Sequence, residues 1–183
     1  MHDGFIVTKL MGEIENQLAQ YGLTDFRVSR SQQPTNQHVG AVTGTEKYQI
    51  FISQVNQSKL GYGWSYSAIE GKEALKQTSR HKTIKRYQID LLVDFDPRDT
   101  TVIPAYDLAE DLSNLLQHPD SVAGLLEDGI GIVSCSDVRP EFTINESDLT
   151  GSTPSFDITI NYAKRYEKEV GTISNVKDNI KGI

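Results

Sequence analysis

The side chains of this 183-residue chain whose types and spacing best suggest chemistry are Asp94, Asp96 and Asp99. Asp94 and Asp96 stand two apart, so on a strand they project from one face and could present two carboxylates to a cation. A calcium loop counted from Asp94 needs glycine at 99 and a bidentate glutamate at 105, where this chain has Asp99 and Ala105. A metal-dependent hydrolase using Asp90, Asp94 and Asp96 is the enzymatic reading these residues leave open. The plainer reading is a solvated strand end running into a turn, where aspartate bonds the local backbone.

Other catalytic patterns fail on their own terms. Gly71-Lys72 is followed by Glu73 instead of a hydroxyl residue, and the position five before Gly71 is Tyr66, so no phosphate-cradling loop forms there. Gly129-Ile130-Gly131 lacks a third glycine and runs into a strand. The histidines, His2, His38, His81 and His118, include no pair at helical spacing, and no HExxH occurs. His118 sits where a helix C-terminus is expected and reads as a partner of its dipole or a cap. Cys135, the single cysteine, lies in an apolar run and reads as a buried, inert thiol; it excludes a disulfide framework within the chain. No GxSxG elbow is present. The sequence therefore predicts no catalytic residue, no cofactor and no metal.

Charge is more informative. Lys72, Lys76, Arg80, Lys82, Lys85 and Arg86 stand against Glu73 alone, a net of +5 over residues 72–86. From Asp94 to Asp128, nine acids, Glu110 and Asp111 among them, face only Arg98, a net of −8. Both stretches could be solvated surface. The sharper expectation is a dipolar subunit whose basic arm meets the acidic face of a neighbour in a head-to-tail ring, through Lys72, Lys76, Arg80, Lys82, Lys85 and Arg86 on one side and Glu110 and Asp111 on the other. Nucleic-acid binding through the basic stretch is a weaker alternative, because clustered stacking aromatics are not evident beside it.

These residues must be carried by regular elements. Ile6, Leu10, Ile14 and Leu18 recur every four residues, which predicts an amphipathic helix over residues 5–21 ending at Gly22. A short strand over 25–30 and a polar loop over 31–37 follow. Strands are expected over 47–56 and 61–69, then a polar segment over 70–82. Residues 83–96 make the longest predicted strand, with Tyr87, Ile89, Leu91, Val93 and Phe95 on one face and Arg86, Gln88, Asp90, Asp94 and Asp96 on the other. Helices over 106–118 and 121–126, a strand over 130–138, a polar connection over 147–153 and a strand over 155–166 complete the pattern. The expected fold is α+β: a mostly antiparallel sheet with two helices packed on one face, a long hairpin arm and a C-terminal tail. Residues 1–166 form one domain in this reading, with 60–85 an extended arm and 167–183 a mobile tail.

Composition agrees with a compact unit: 37% of residues are hydrophobic and 23% charged, and the formal charge is −7. With pI near 5.1, the molecule as a whole repels phosphate. Apolar runs reach only three residues, as in Phe5-Ile6-Val7, so no membrane span is expected. The N-terminus lacks a basic region followed by an apolar stretch, which points to a soluble protein made inside the cell.

The order of several segments is familiar. Val28-Ser29-Arg30-Ser31-Gln32-Gln33-Pro34, Tyr87-Gln88-Ile89-Asp90-Leu91, the helix from Ala105 to Leu116, Gly129-Ile130-Gly131-Ile132, Val138-Arg139-Pro140 and the final strand from Ser155 to Tyr162 follow one another in a recognisable series. Over residues 5–166 the chain resembles the neck or tail terminator proteins of long-tailed bacteriophages, which cap the tail tube. The resemblance implies a ring-forming subunit, commonly a hexamer, at the head-proximal end of the tail in the virion neck, assembled in the host cytoplasm. It implies contact with copies of itself, the tail tube, the sheath in contractile tails and the head connector or collar proteins. Genomic DNA would pass through the lumen without specific binding, and no membrane is involved. A head–tail connector or tail completion protein is the neighbouring alternative. The tail from Glu167 would be free to add a strand to an adjacent sheet edge.

Overall fold

The computed structural model describes residues 3–31, 46–70, 74–93, 101–140, 142–144 and 150–171. Helix α1 (Asp3–Gln20) buries Ile6, Val7, Leu10, Ile14 and Leu18 along one stripe. It stops where the spacing predicted: Gly22 takes φ +93°, its N–H bonds the Ala19 carbonyl at 3.1 Å, and the Leu23 N–H reaches back to the Leu18 carbonyl at 3.0 Å. That pair of bonds satisfies the last free carbonyls of the helix, and only glycine enters the required left-handed region without strain.

Strands β1 (Phe26–Arg30), β2 (Tyr48–Ala68) and β3 (Ala74–Val93) follow. Helices α2 (Ala105–Leu116) and α3 (Pro119–Glu127) come next, then β4 (Ile130–Cys135). A small hairpin of β5 (Phe142–Ile144) and β6 (Thr150–Ser152) leads to β7 (Ser155–Gly171). The main sheet has the order β1-β2-β3-β7-β4. The β1–β2 pair is parallel and the other three are antiparallel. The fold is thus α+β with a mostly antiparallel open sheet, and three helices pack on it where two were expected. Among the described residues no helix is long and apolar enough to cross a membrane.

Register fixes the core. The rows Ile50–Leu91, Ile52–Ile89–Phe156, Tyr87–Ile158 and Ile132–Ile160 bring one face of four strands together. Tyr48, Ile50, Ile52, Tyr87, Ile89, Leu91, Phe156, Ile158 and Ile160 are buried under Leu10, Ile14 and Leu18 of α1 and Leu108, Leu112 and Leu116 of α2. The Tyr48 hydroxyl accepts the Ile103 N–H at 3.0 Å, which fastens the approach to α2. Lys9 pairs with Asp128 at 2.9 Å, and Tyr21 donates to Asp111, tying the middle of α1 and the residue just past its C-terminus to the other helices.

Several boundaries differ from expectation. β2 is one strand, bent by register shifts between Gln54 and Asn56 and between Leu60 and Gly63, instead of two. β3 starts at Ala74, so residues 74–82 are strand and not a polar connector. β7 likewise runs on to Gly171, which makes residues 167–171 strand; residues 172–183 lie outside the described residues. Residues 150–152, expected in a polar connection, form β6. The proline loop over 32–37 and Asp94, Asp96 and Asp99 also fall outside them. Pro119 both ends α2 and opens α3, where its missing N–H costs nothing. His118 is the N-cap of α3, its Nδ1 facing the Asp120 N–H at 3.5 Å, while its own N–H bonds the Leu115 carbonyl of α2 at 3.1 Å, so it serves both the end of one helix and the start of the next.

Candidate functional site

β1 leaves its partner at Ile52, and β4 leaves β7 at Tyr162. β2, β3 and β7 continue without them as a three-stranded arm, in which Ser65, Thr78 and Glu167 mark one row and Ala68, Leu75 and Val170 mark the last full one. Among the described residues the helices stop short of this arm, so its sheet faces are open. Its two outer backbone edges, along β2 from Ser53 and along β7 from Ala163, have no strand beside them among those residues.

The face of β3 turned away from the helices carries most of the predicted cations, three of them on the arm and Arg86 at its root. Lys76, Arg80, Lys82 and Arg86 alternate along β3, joined by Arg165 from the row of Arg80. Glu167 takes Lys76 at 2.6 Å and Arg165 at 2.7 Å. The hydrogen bond from Lys76 holds the Glu167 carboxyl below its ordinary range. This face therefore neutralises part of its own charge, and Thr78 is buried beneath the ladder.

Lys85 does not join it. It follows the odd series of Tyr87, Ile89 and Leu91 onto the core face and is fully buried. Its ammonium donates to Gln54 Oε1 at 3.0 Å and pairs with Asp3 Oδ1 at 2.7 Å. That bond, opposed by partial burial, lowers the Asp3 carboxyl below its usual value. Lys85 thus anchors the start of α1 to the root of the arm. Lys72 lies outside the described residues.

The other face continues the core face outward and has a different character. Trp64 and Tyr166 flank Ser79 in one row, and Tyr66 and Lys168 flank Gln77 in the next. Lys59 and Lys164 stand nearer the root, opposite Thr83 and His81. Trp64 packs edge-on against Tyr66 with ring centres 5.2 Å apart, and His81 against Tyr166 at 6.0 Å. Trp64 is 59% exposed, Tyr166 57% and Tyr66 50%, so large rings face solvent on a surface bearing lysines. The alternation of Tyr62, Trp64 and Tyr66 signalled the β2 contribution. The share of β7 became visible only through register.

Along α2 and α3, residues 105–128 hold Asp107, Glu110, Asp111, Asp120, Glu127 and Asp128 without a lysine or arginine. Glu110 is exposed on α2 and lines an open groove of about 440 Å³ with Tyr106, Asn114, Gln117, Ser136 and Asp137. Asp111 is partly buried and accepts from Tyr21, whose phenol it pushes above its ordinary pKa. Of the two predicted acidic contacts, Glu110 is thus open to a partner, whereas Asp111 already serves the fold.

Burial raises the Cys135 thiol to about 11, far from a thiolate at neutral pH. Among the described residues no group of three or more histidines, cysteines or acids could hold a metal ion. Asp90 accepts from Gln88 at 2.6 Å. Arg139 exchanges backbone bonds with Ser155 at 2.8 and 3.0 Å and pairs with Asp157 at 2.9 Å, so the segment that follows β4 is clipped to the start of β7.

A protein-family profile described as E217 gateway protein gp29 matches residues 5–172. No curated protein matches the chain. The match takes in α1, the sheet, the helices and the whole of the arm, which places every element described above inside one family pattern. The chain belongs to the E217 gateway protein gp29 family, structural proteins of the phage neck.

Proposed function

We propose that this chain forms a closed ring at the head-proximal end of a phage tail, ends growth of the tail tube and joins the tail to the head connector, with DNA passing through the ring. The observation that carries the reading is the arm: β2, β3 and β7 run past the helix-covered core with both backbone edges unpartnered among the described residues. Isolated edges of that length invite pairing with other chains, and a repeated subunit offers the simplest partner. The partners in this reading are further copies, six in the ring, the last ring of tube and sheath, and the collar proteins above. Assembly takes place in the host cytoplasm before the neck is complete. The excess of negative charge suits a lumen that lets DNA pass without holding it.

Native mass spectrometry across a concentration series, with negative-stain images of the same samples, tests this. A closed ring of six is the expected result, and it should cap purified tail tubes at one end. A chain that stays monomeric and leaves tube ends uncapped overturns the ring; a different closed number revises the stoichiometry alone.

A further inference from the structure

We propose that the aromatic, lysine-bearing face of the arm docks on the acidic helix layer of a second copy of this chain. The inference rests on the ring reading above and specifies which surfaces meet.

The sheet presents one continuous face. Its inner half is covered by the chain's own helices, while its outer half displays Lys59, Trp64, Tyr66, Tyr166 and Lys168, with Lys164 half-buried at its root over the Tyr162 ring. Among the described residues this outer half carries no acid, unlike the opposite face, where Glu167 already engages Lys76 and Arg165. Exposed rings ordered in rows beside lysines are a surface awaiting a partner that supplies both apolar cover and negative charge. The helix layer offers that combination. Asp107, Glu110 and Glu127 are exposed there beside Tyr106, 41% exposed, and Leu126, 61% exposed. The groove along α2 gives the layer a concave receptacle beside Glu110.

One chain cannot make this contact with itself. Gln77, at the centre of the aromatic rows, lies about 26 Å along β3 from Lys85 at the edge of the covered core. Both surfaces ride on the same sheet, so only the helices of another copy can reach the arm. The contact is head-to-tail, since arm and helix layer are different patches, and such contacts close into rings when the rotation permits. Aromatics with lysines also fit a single nucleic-acid strand. The net charge of −7 and the uncompensated acids of the helix layer favour a copy of the chain.

The test uses two charge reversals in the full-length chain: Lys164→Glu with Lys168→Glu on the arm, and Asp107→Lys with Glu110→Lys on α2. Circular dichroism and thermal melts establish that both stay folded. Sedimentation velocity should find each variant monomeric where the unaltered chain is assembled. An equal mixture should assemble again, because reversed arms then meet reversed helices and unaltered arms meet unaltered helices. Native mass spectrometry should show even-numbered assemblies with both variants in equal amounts. Rings that form despite either reversal overturn this contact and leave the ring standing. A mixture that stays monomeric also overturns it. An unaltered chain that never self-associates yet is incorporated into virions removes the ring and this contact together, while the neck role survives. Binding of a labelled oligothymidylate that quenches tryptophan fluorescence, lost in the arm variant without any change in assembly, assigns the face to nucleic acid instead.

Discussion

Lys85 shows how a single side chain can join two functions of a fold. Its ammonium is fully buried, yet Asp3, its ion-pair partner, has a side chain 46% exposed. The asymmetry decides what each substitution does. Asp3→Ala strands a buried cation with only Gln54 to bond, whereas Lys85→Met removes the charge and lets water take over Asp3 and Gln54. Asp3→Ala should therefore cost about 2 kcal/mol in urea unfolding, less than a fully buried pair because Asp3 is half in water. Lys85→Met should stay within about 1 kcal/mol of the unaltered chain. The pH dependence has a definite sign. The Asp3 carboxyl is depressed from 3.8, so its contribution is present above that value and is lost as pH falls through the lower folded one. Melting temperatures of Asp3→Asn and the unaltered chain should differ near neutrality and converge in acid. Equal stability at neutral pH, or a gap that widens in acid, would show that the pair does not anchor α1.

The elements divide into those whose burial is written in hydrophobic spacing and those whose partners are polar. α1, α2 and the inner halves of β2, β3 and β7 follow periodicities of apolar residues, which is why their existence and the covered sheet face are legible in the sequence. Lys85 was legible by the same rule, since parity alone assigns it to the face of Tyr87 and Ile89, but its charge drew it into the basic group. The outer parts of β3 and β7 carry no apolar series, unlike β2 with its alternating Tyr62, Trp64 and Tyr66. Residues 74–82 are strand because β2 and β7 pair with them on both sides, and 167–171 because β3 does, with Glu167 bonding Lys76 across the gap. Cross-strand pairing joins residues far apart in the chain, so no local window contains it. The grouping of Trp64 and Tyr66 with His81 and Tyr166 was hidden for the same reason. An arm that contributes little to the core should also be removable. Joining Lys59 to Thr83 through Asn-Gly, a two-residue turn suited to an antiparallel pair, keeps every residue of the buried cluster. The shortened chain should remain folded, with a melting temperature within about 5 °C of the original, a shift of only one or two kcal/mol for a domain this size. In the ring reading it should no longer assemble. A chain that unfolds on excision would mean that the arm supports the core, and one that still forms rings would separate assembly from the arm.

At the scale of the whole molecule, the separation of charge makes a kinetic prediction. Residues 105–128 are wholly acidic among their ionised side chains, while the arm's aromatic face is basic, so approaching copies are oriented before they touch. Steering of this kind acts over the Debye length, which shrinks from about 30 Å at 0.01 M salt to about 3 Å at 1 M. The rings behave otherwise, because burial of Trp64, Tyr66 and Tyr166 is not screened by salt and acts after contact. Charge should thus govern how fast copies associate, and apolar cover how long they stay together. Stopped-flow light scattering over that range of salt should find the association rate falling about tenfold or more, with dissociation nearly constant. Replacing Trp64 and Tyr66 by serine should do the reverse, speeding dissociation while leaving the salt dependence of association intact. If salt instead accelerates dissociation and leaves association unchanged, the acidic layer and the arm are held by ion pairs formed after docking, and long-range orientation plays no part in bringing the copies together.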